Sequence, residues 1–191
     1  MTAADRSPSR RAIVQAGGLA ALAGAFTAWP VRAQDDAGLT IIQAFATGTL
    51  FPTQGDADSP PYTLILWGAD GRGLLALTGE WAAVLNSGSL LAALEAGEEP
   101  QAAVVLPAPA DGAGQQRAWG LRLTSGSPGS DPDAITYQGD LLDDAAASDW
   151  LGTPVTAPDG AATFGPGYLV IIGLGGLDMS ENATVRVALG E

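Results

Sequence analysis

The sequence predicts an all-β chain, an antiparallel β-sandwich or flattened barrel with one or two short helices, preceded by a cleavable signal segment. Three observations carry this expectation. Runs of about four to nine apolar or β-branched residues are separated by clusters of Gly, Pro, Asp and Ser, the signature of strands and turns. Several runs alternate with period two, so that one face is apolar and the other polar. Helical periodicity is scarce and never sustained long enough to organise a fold.

The clearest runs are Leu39 to Leu50, Tyr62 to Trp67, Gly73 to Thr78, Ala102 to Leu106, Ala118 to Thr124, Ala134 to Gln138, Tyr168 to Leu174 and Ala183 to Leu189. Asp70-Gly71 stands between the second and third and reads as a hairpin turn, because both residues tolerate positive φ. Pro158-Asp159-Gly160 plays the same part between Val155 to Ala157 and Ala161 to Phe164. Arg122 between Leu121 and Leu123, and Arg186 between Val185 and Val187, mark half-buried strands. Leu169-Val170-Ile171-Ile172 is apolar on both faces, as expected of a central strand. Ser87 to Ala96 reads as one short helix, with Ser87 or Ser89 as its cap and Gly97 as its stop. Leu141 to Trp150 is the second helical candidate. The segments Phe51 to Pro61, Pro107 to Gln116 and Ser125 to Asp133 read as long polar loops, where a site is expected first.

At the N-terminus, Ser9-Arg10-Arg11-Ala12-Ile13-Val14 places paired arginines before an uncharged apolar stretch that ends at Val31-Arg32-Ala33. This resembles a twin-arginine secretion signal with a mature start at Gln34. Residues 1–33 are thus expected to be an export signal and residues 34–191 a single β-rich domain, periplasmic or extracellular. Uncleaved, the apolar stretch would be a membrane anchor, although three glycines and Pro30 weaken it as a spanning helix. No other membrane contact is expected.

Beyond residue 33 the chain has 20 acidic residues against four arginines, a net charge near −16. That balance disfavours nucleic acid and other polyanions, which would meet a repulsive field. The whole chain contains no histidine, cysteine or lysine. Ser-His and Cys-His nucleophile pairs, imidazole-ligated metals, iron-sulfur clusters, disulfides and lysine Schiff bases are therefore closed to it. The glycine clusters Gly68 to Gly73 and Gly173 to Gly176 lack dinucleotide-binding spacing and read as turns.

Carboxylates remain. Asp56 and Asp58, with Asp131 and Asp133, form two Asp-x-Asp pairs in predicted loops and are the candidate calcium ligands, set against their role as turn formers. No EF-hand loop is present, and no cofactor other than calcium is expected. Glu80 beside Trp81 reads first as an edge-strand Glu beside a core Trp, against the alternative of a desolvated acid. The aromatics Trp67, Trp81, Trp119, Trp150, Tyr62, Tyr137 and Tyr168 divide between core and surface, and an exposed row of them would favour carbohydrate binding.

The function expected from these residues is that of an exported, non-catalytic binding or accessory subunit, translocated in complex with a cofactor-bearing protein partner. The alternatives are a carboxylate-dependent, calcium-assisted exported hydrolase and a carbohydrate-binding module.

Overall fold

The computed structural model describes residues 39–53, 61–69, 74–78, 81–107, 117–142, 160–175, 177 and 183–188, all within one compact unit, Ala33–Glu191. Eleven strands and one helix fall among the described residues: β1 (Thr40–Phe45), β2 (Thr47–Pro52), β3 (Tyr62–Trp67), β4 (Leu74–Leu77), β5 (Trp81–Leu85), α1 (Ser87–Glu95), β6 (Gln101–Leu106), β7 (Arg117–Pro128), β8 (Ala134–Leu141), β9 (Ala162–Phe164), β10 (Gly167–Ile172) and β11 (Ala183–Ala188). Every pairing is antiparallel, in the order β11-β5-β4-β1-β10-β6-β7-β8-β3-β2-β9. The all-β expectation holds.

That order hides a closed ring. β1 and β2 are one strand interrupted only at Ala46, and β9 and β10 run beside it in unbroken register, with Phe45 opposite Gly167 and Gly48 opposite Phe164. The interruption faces Gly165-Pro166, and Pro166 has no N–H to give to the ladder. On the other edge β3 pairs with β2 while β4 pairs with β1, and Ala46 N donates to Trp67 O at 2.9 Å. The circuit β1/β2, β10, β6, β7, β8, β3 and back to β2 is therefore a six-stranded barrel, from which β4, β5 and β11 extend as a flap of sheet.

Alternation sends one face of each strand into the barrel. Ile41, Phe45, Leu50, Leu64, Leu66, Val104, Trp119, Leu121, Leu123, Ile135, Tyr137, Leu169 and Ile171 form a single core, with Phe164 packed against Phe45 and Trp119 at ring-centroid distances of 5.7 and 5.2 Å. One polar pair sits within it. Tyr137 Oη donates to Gln43 Oε1 at 2.7 Å, both side chains are fully buried, and Gln43 Nε2 has no partner. Against the barrel lies α1, whose Leu90 and Leu94 are buried. Gly126 makes the seat, since a Cβ there would run into Leu91 and Leu94. Asn86 caps the helix, its side chain accepting from Ser89 N at 3.0 Å, and Gly97 ends it at φ +88.

Several expectations are corrected. The cap is Asn86 rather than Ser87 or Ser89, because Asn86 is the last extended residue before the helix, at ψ 157. The runs on either side of Asp70-Gly71 do not form a hairpin, since β3 and β4 lie end to end along the β2/β1 strand instead of pairing with each other. Trp81–Leu85 is a strand that the run pattern missed; it pairs with β4 on one side and β11 on the other. Leu141 ends β8 instead of opening a helix, Leu142 follows it with its N–H donated to Gly120 O at 3.0 Å, and residues 143–150 of that helical candidate, with Val155 to Ala157, lie outside the described residues. Finally, β7 continues through Ser125 to Pro128, so the first four residues of the third expected loop are strand, bent by a register shift between Leu123 and Ser125.

That bend needs Gly139, where a Cβ would press on the backbone of Arg122 and Leu123. Gly139→Ala is expected to cost about 1–3 kcal/mol, read by denaturant unfolding. Tyr137→Phe leaves the Gln43 amide buried without its partner and is expected to cost about 1–3 kcal/mol, whereas Gln43→Leu combined with Tyr137→Phe recovers most of that loss in a double-mutant cycle.

Candidate functional site

The two walls of the barrel differ in what they present outward. On β4, β1, β10 and β6 the outward row Leu75, Ile42, Val170 and Ala103 is as buried as the interior. On β9, β2, β3, β8 and the second half of β7 the outward residues are half-buried or exposed, apart from the buried Thr63 and Ala134. Among the described residues the outward positions Thr40, Leu77, Ile172 and Gln101 of the first wall are half-buried, whereas the second wall adds the exposed Thr47, Thr163, Gln138, Ser125 and Ser127.

Its composition follows from strict alternation. Along β2 the outward side chains are Thr47, Thr49 and Phe51, and along β3 they are Thr63, Ile65 and Trp67. Ile65 faces Thr136 on β8 and Thr63 faces Gln138, which are followed on β7 by Ser127 and Ser125; Thr163 on β9 faces Thr49. None of these positions carries a charge. The first charges outward along β8 and β7 are Asp140 and Arg122, which face each other in register at the margin. In a chain with 21 acidic residues and a net charge of −13, the strand positions of this wall carry no carboxylate, and Asp131 meets it only from the β7–β8 turn, at Trp67.

Hydroxyl groups on the wall are ordered by their neighbours. Thr47 Oγ1 donates to Phe164 O at 2.9 Å, Thr49 and Thr163 hydroxyls meet at 3.4 Å, Thr53 and Thr63 hydroxyls meet at 2.8 Å, and Ser125 Oγ donates to Gln138 Oε1 at 3.4 Å. Each hydroxyl spent as a donor still presents an acceptor to a ligand, and the Gln138 amide presents donors. Phe51 and Trp67 stand at opposite ends of the β2-β3 pair, about 13 Å apart along the strands. Trp67 Nε1 donates to Asp131 Oδ2 at 3.1 Å, which holds the indole in place.

The predicted metal ligands are placed differently from one another. Asp131 and Asp133 lie in the turn between β7 and β8, both exposed. Asp131 is engaged with Trp67, its carbonyl accepts from Ala134 N at 3.0 Å, and the Asp133 carbonyl accepts from Ala69 N at 3.2 Å. Asp56 and Asp58 fall outside the described residues, as do Glu80 and the Trp81 side chain. Among the described residues no group of three or more acidic side chains is gathered around one point, whereas calcium takes six to eight oxygens. Trp119 and Tyr137 are core, while Trp67, which closes an apolar run, is half-buried on the outer wall.

Apart from Trp67, the wall residues were not singled out by sequence, because threonine in a strand is ordinary. Their signal was the alternation in Thr47-Gly-Thr-Leu-Phe51 and Thr63-Leu-Ile-Leu-Trp67, whose polar and aromatic members share one face. Asp131→Ala is expected to free the indole, shifting tryptophan emission and costing roughly 0.5–1 kcal/mol, while Asp131→Asn keeps an acceptor and leaves both nearly unchanged.

No protein-family model matches the chain, and no curated protein or solved structure matches it either.

Proposed function

We propose that this chain is an exported, non-catalytic binding domain that meets its ligand through the outer wall of β9, β2, β3, β8 and β7. The observation that supports this reading is the uncharged, hydroxyl-ordered wall on an otherwise acid-rich chain. Net charge keeps a protein soluble and apart from its neighbours, so a surface from which charge is withheld is suited to contact. The export part of the reading rests on Ser9 to Ala33.

A second form of the reading is a subunit that travels with a cofactor-bearing protein. The leader favours it, since a route suited to folded or cofactor-bearing cargo carries a chain without His, Cys or Lys. In both forms the chain binds rather than catalyses, and Asp131 serves to hold Trp67.

Charging the wall tests the reading. Thr49→Glu with Gln138→Glu is expected to leave thermal unfolding within a few degrees, because both side chains lie on the surface of the wall. The same variant is expected to lose whatever co-purifies with the protein from its native cells under gentle conditions. A lone chain in those preparations, identical for both proteins, counts against a binding role.

A further inference from the structure

We propose that the outer wall binds a neutral oligosaccharide laid across β2 and β3 between Phe51 and Trp67, an inference that rests on the reading of this wall as the binding face. Charge selects the ligand class first. A polyanion is repelled by the whole chain, and a cation finds at this wall only the Asp131 carboxylate, already engaged by the Trp67 indole. What the wall offers is hydroxyl and amide groups in registered rows, with one aromatic ring at each end.

Those are the groups that recognise sugars. Sugar hydroxyls both donate and accept, and they meet Thr47 and Ser125 oxygens whose protons are already directed to Phe164 O and Gln138 Oε1. The apolar CH face of a pyranose ring packs on an aromatic face, and Phe51 and Trp67 are half-buried on the outward side. The bond from Trp67 Nε1 to Asp131 Oδ2 orients the indole before any ligand arrives, so little ordering is left to oppose binding. A protein partner fits less well, because protein interfaces are enriched in aromatics, Met and Arg and depleted in Ser, whereas hydroxyls dominate here and arginine is absent.

The test titrates the full chain with neutral hexasaccharides (cellohexaose, xylohexaose, maltohexaose, mannohexaose and chitohexaose) by calorimetry and tryptophan fluorescence. Saturable binding of at least one is expected. Trp67→Ala and Phe51→Ala are each expected to weaken it on the order of tenfold, while Arg122→Gln, at the margin, leaves it unchanged. Should either aromatic variant fold poorly by circular dichroism, Thr49→Val with Thr163→Val gives an independent loss of several-fold. Sugar binding that ignores all of these substitutions overturns the proposal, as does no binding at millimolar sugar. A photo-crosslinking residue at position 49 or 136, expressed in native cells, separates the two failures. A protein captured there in the absence of sugar binding overturns the sugar while leaving the binding wall; no sugar and no captured protein overturns both.

Discussion

The barrel depends on one continuous strand, residues 40–52, which carries a seam along each edge. One edge holds β9 and β10 in a single register, and the other holds β3 and β4 end to end. Because both seams lie on the same strand, the sheet closes, and among the described strands the edges left with one partner are β11, in the extension, and the three-residue β9. Pro166 costs the ladder a donor at the point where the strand bends, and Ala46 N compensates on the opposite edge by pairing with Trp67 O. Gly139 performs the corresponding service at β7, where a backbone passes too close for any side chain.

Closure also explains why the two walls have unlike outer faces. A barrel fills its interior with one set of alternating residues and leaves the other set to be decided by what lies outside. On β4, β1, β10 and β6 that other set contains the buried apolar row Leu75, Ile42, Val170 and Ala103 with half-buried residues beside it; on β2, β3, β8 and β9 it is mainly hydroxyl, amide and aromatic and more exposed. The same strand therefore contributes to both walls, with Ile42 outward before the bend and Thr47, Thr49 and Phe51 outward after it. The proposed binding chemistry sits on strands, whose positions are held by the barrel, rather than on loops. A ligand meeting such a wall finds groups already in place.

A chain without His, Cys or Lys has a narrow chemical repertoire, and its structure uses that repertoire consistently. Carboxylates and a carboxamide act as cap, turn fastener and orienting partner: Asn86 for α1, Asp131 for Trp67, Glu98 for the Gly175 N–H at 3.0 Å. Recognition through hydroxyl, amide and ring is what such a chain retains.

By itself the sequence determined the all-β class, the position of most strands and the outward place of Arg122, because period-two alternation and Gly/Pro punctuation are local properties. It also determined which chemistries are closed, since a missing residue type needs no structure to be missing. Other features waited for tertiary structure. Asp70-Gly71 looks like a hairpin in sequence, yet partner choice between β3 and β4 is a long-range matter, settled by their shared edge on the β1/β2 strand. Ser125 to Pro128 looks like a loop, yet it pairs with β8 because Gly139 and the shift after Leu123 let β7 bend. The outer wall was legible only as scattered threonines, since residues from five strands share a face only once register is set, and register is fixed by pairings between residues up to more than a hundred positions apart.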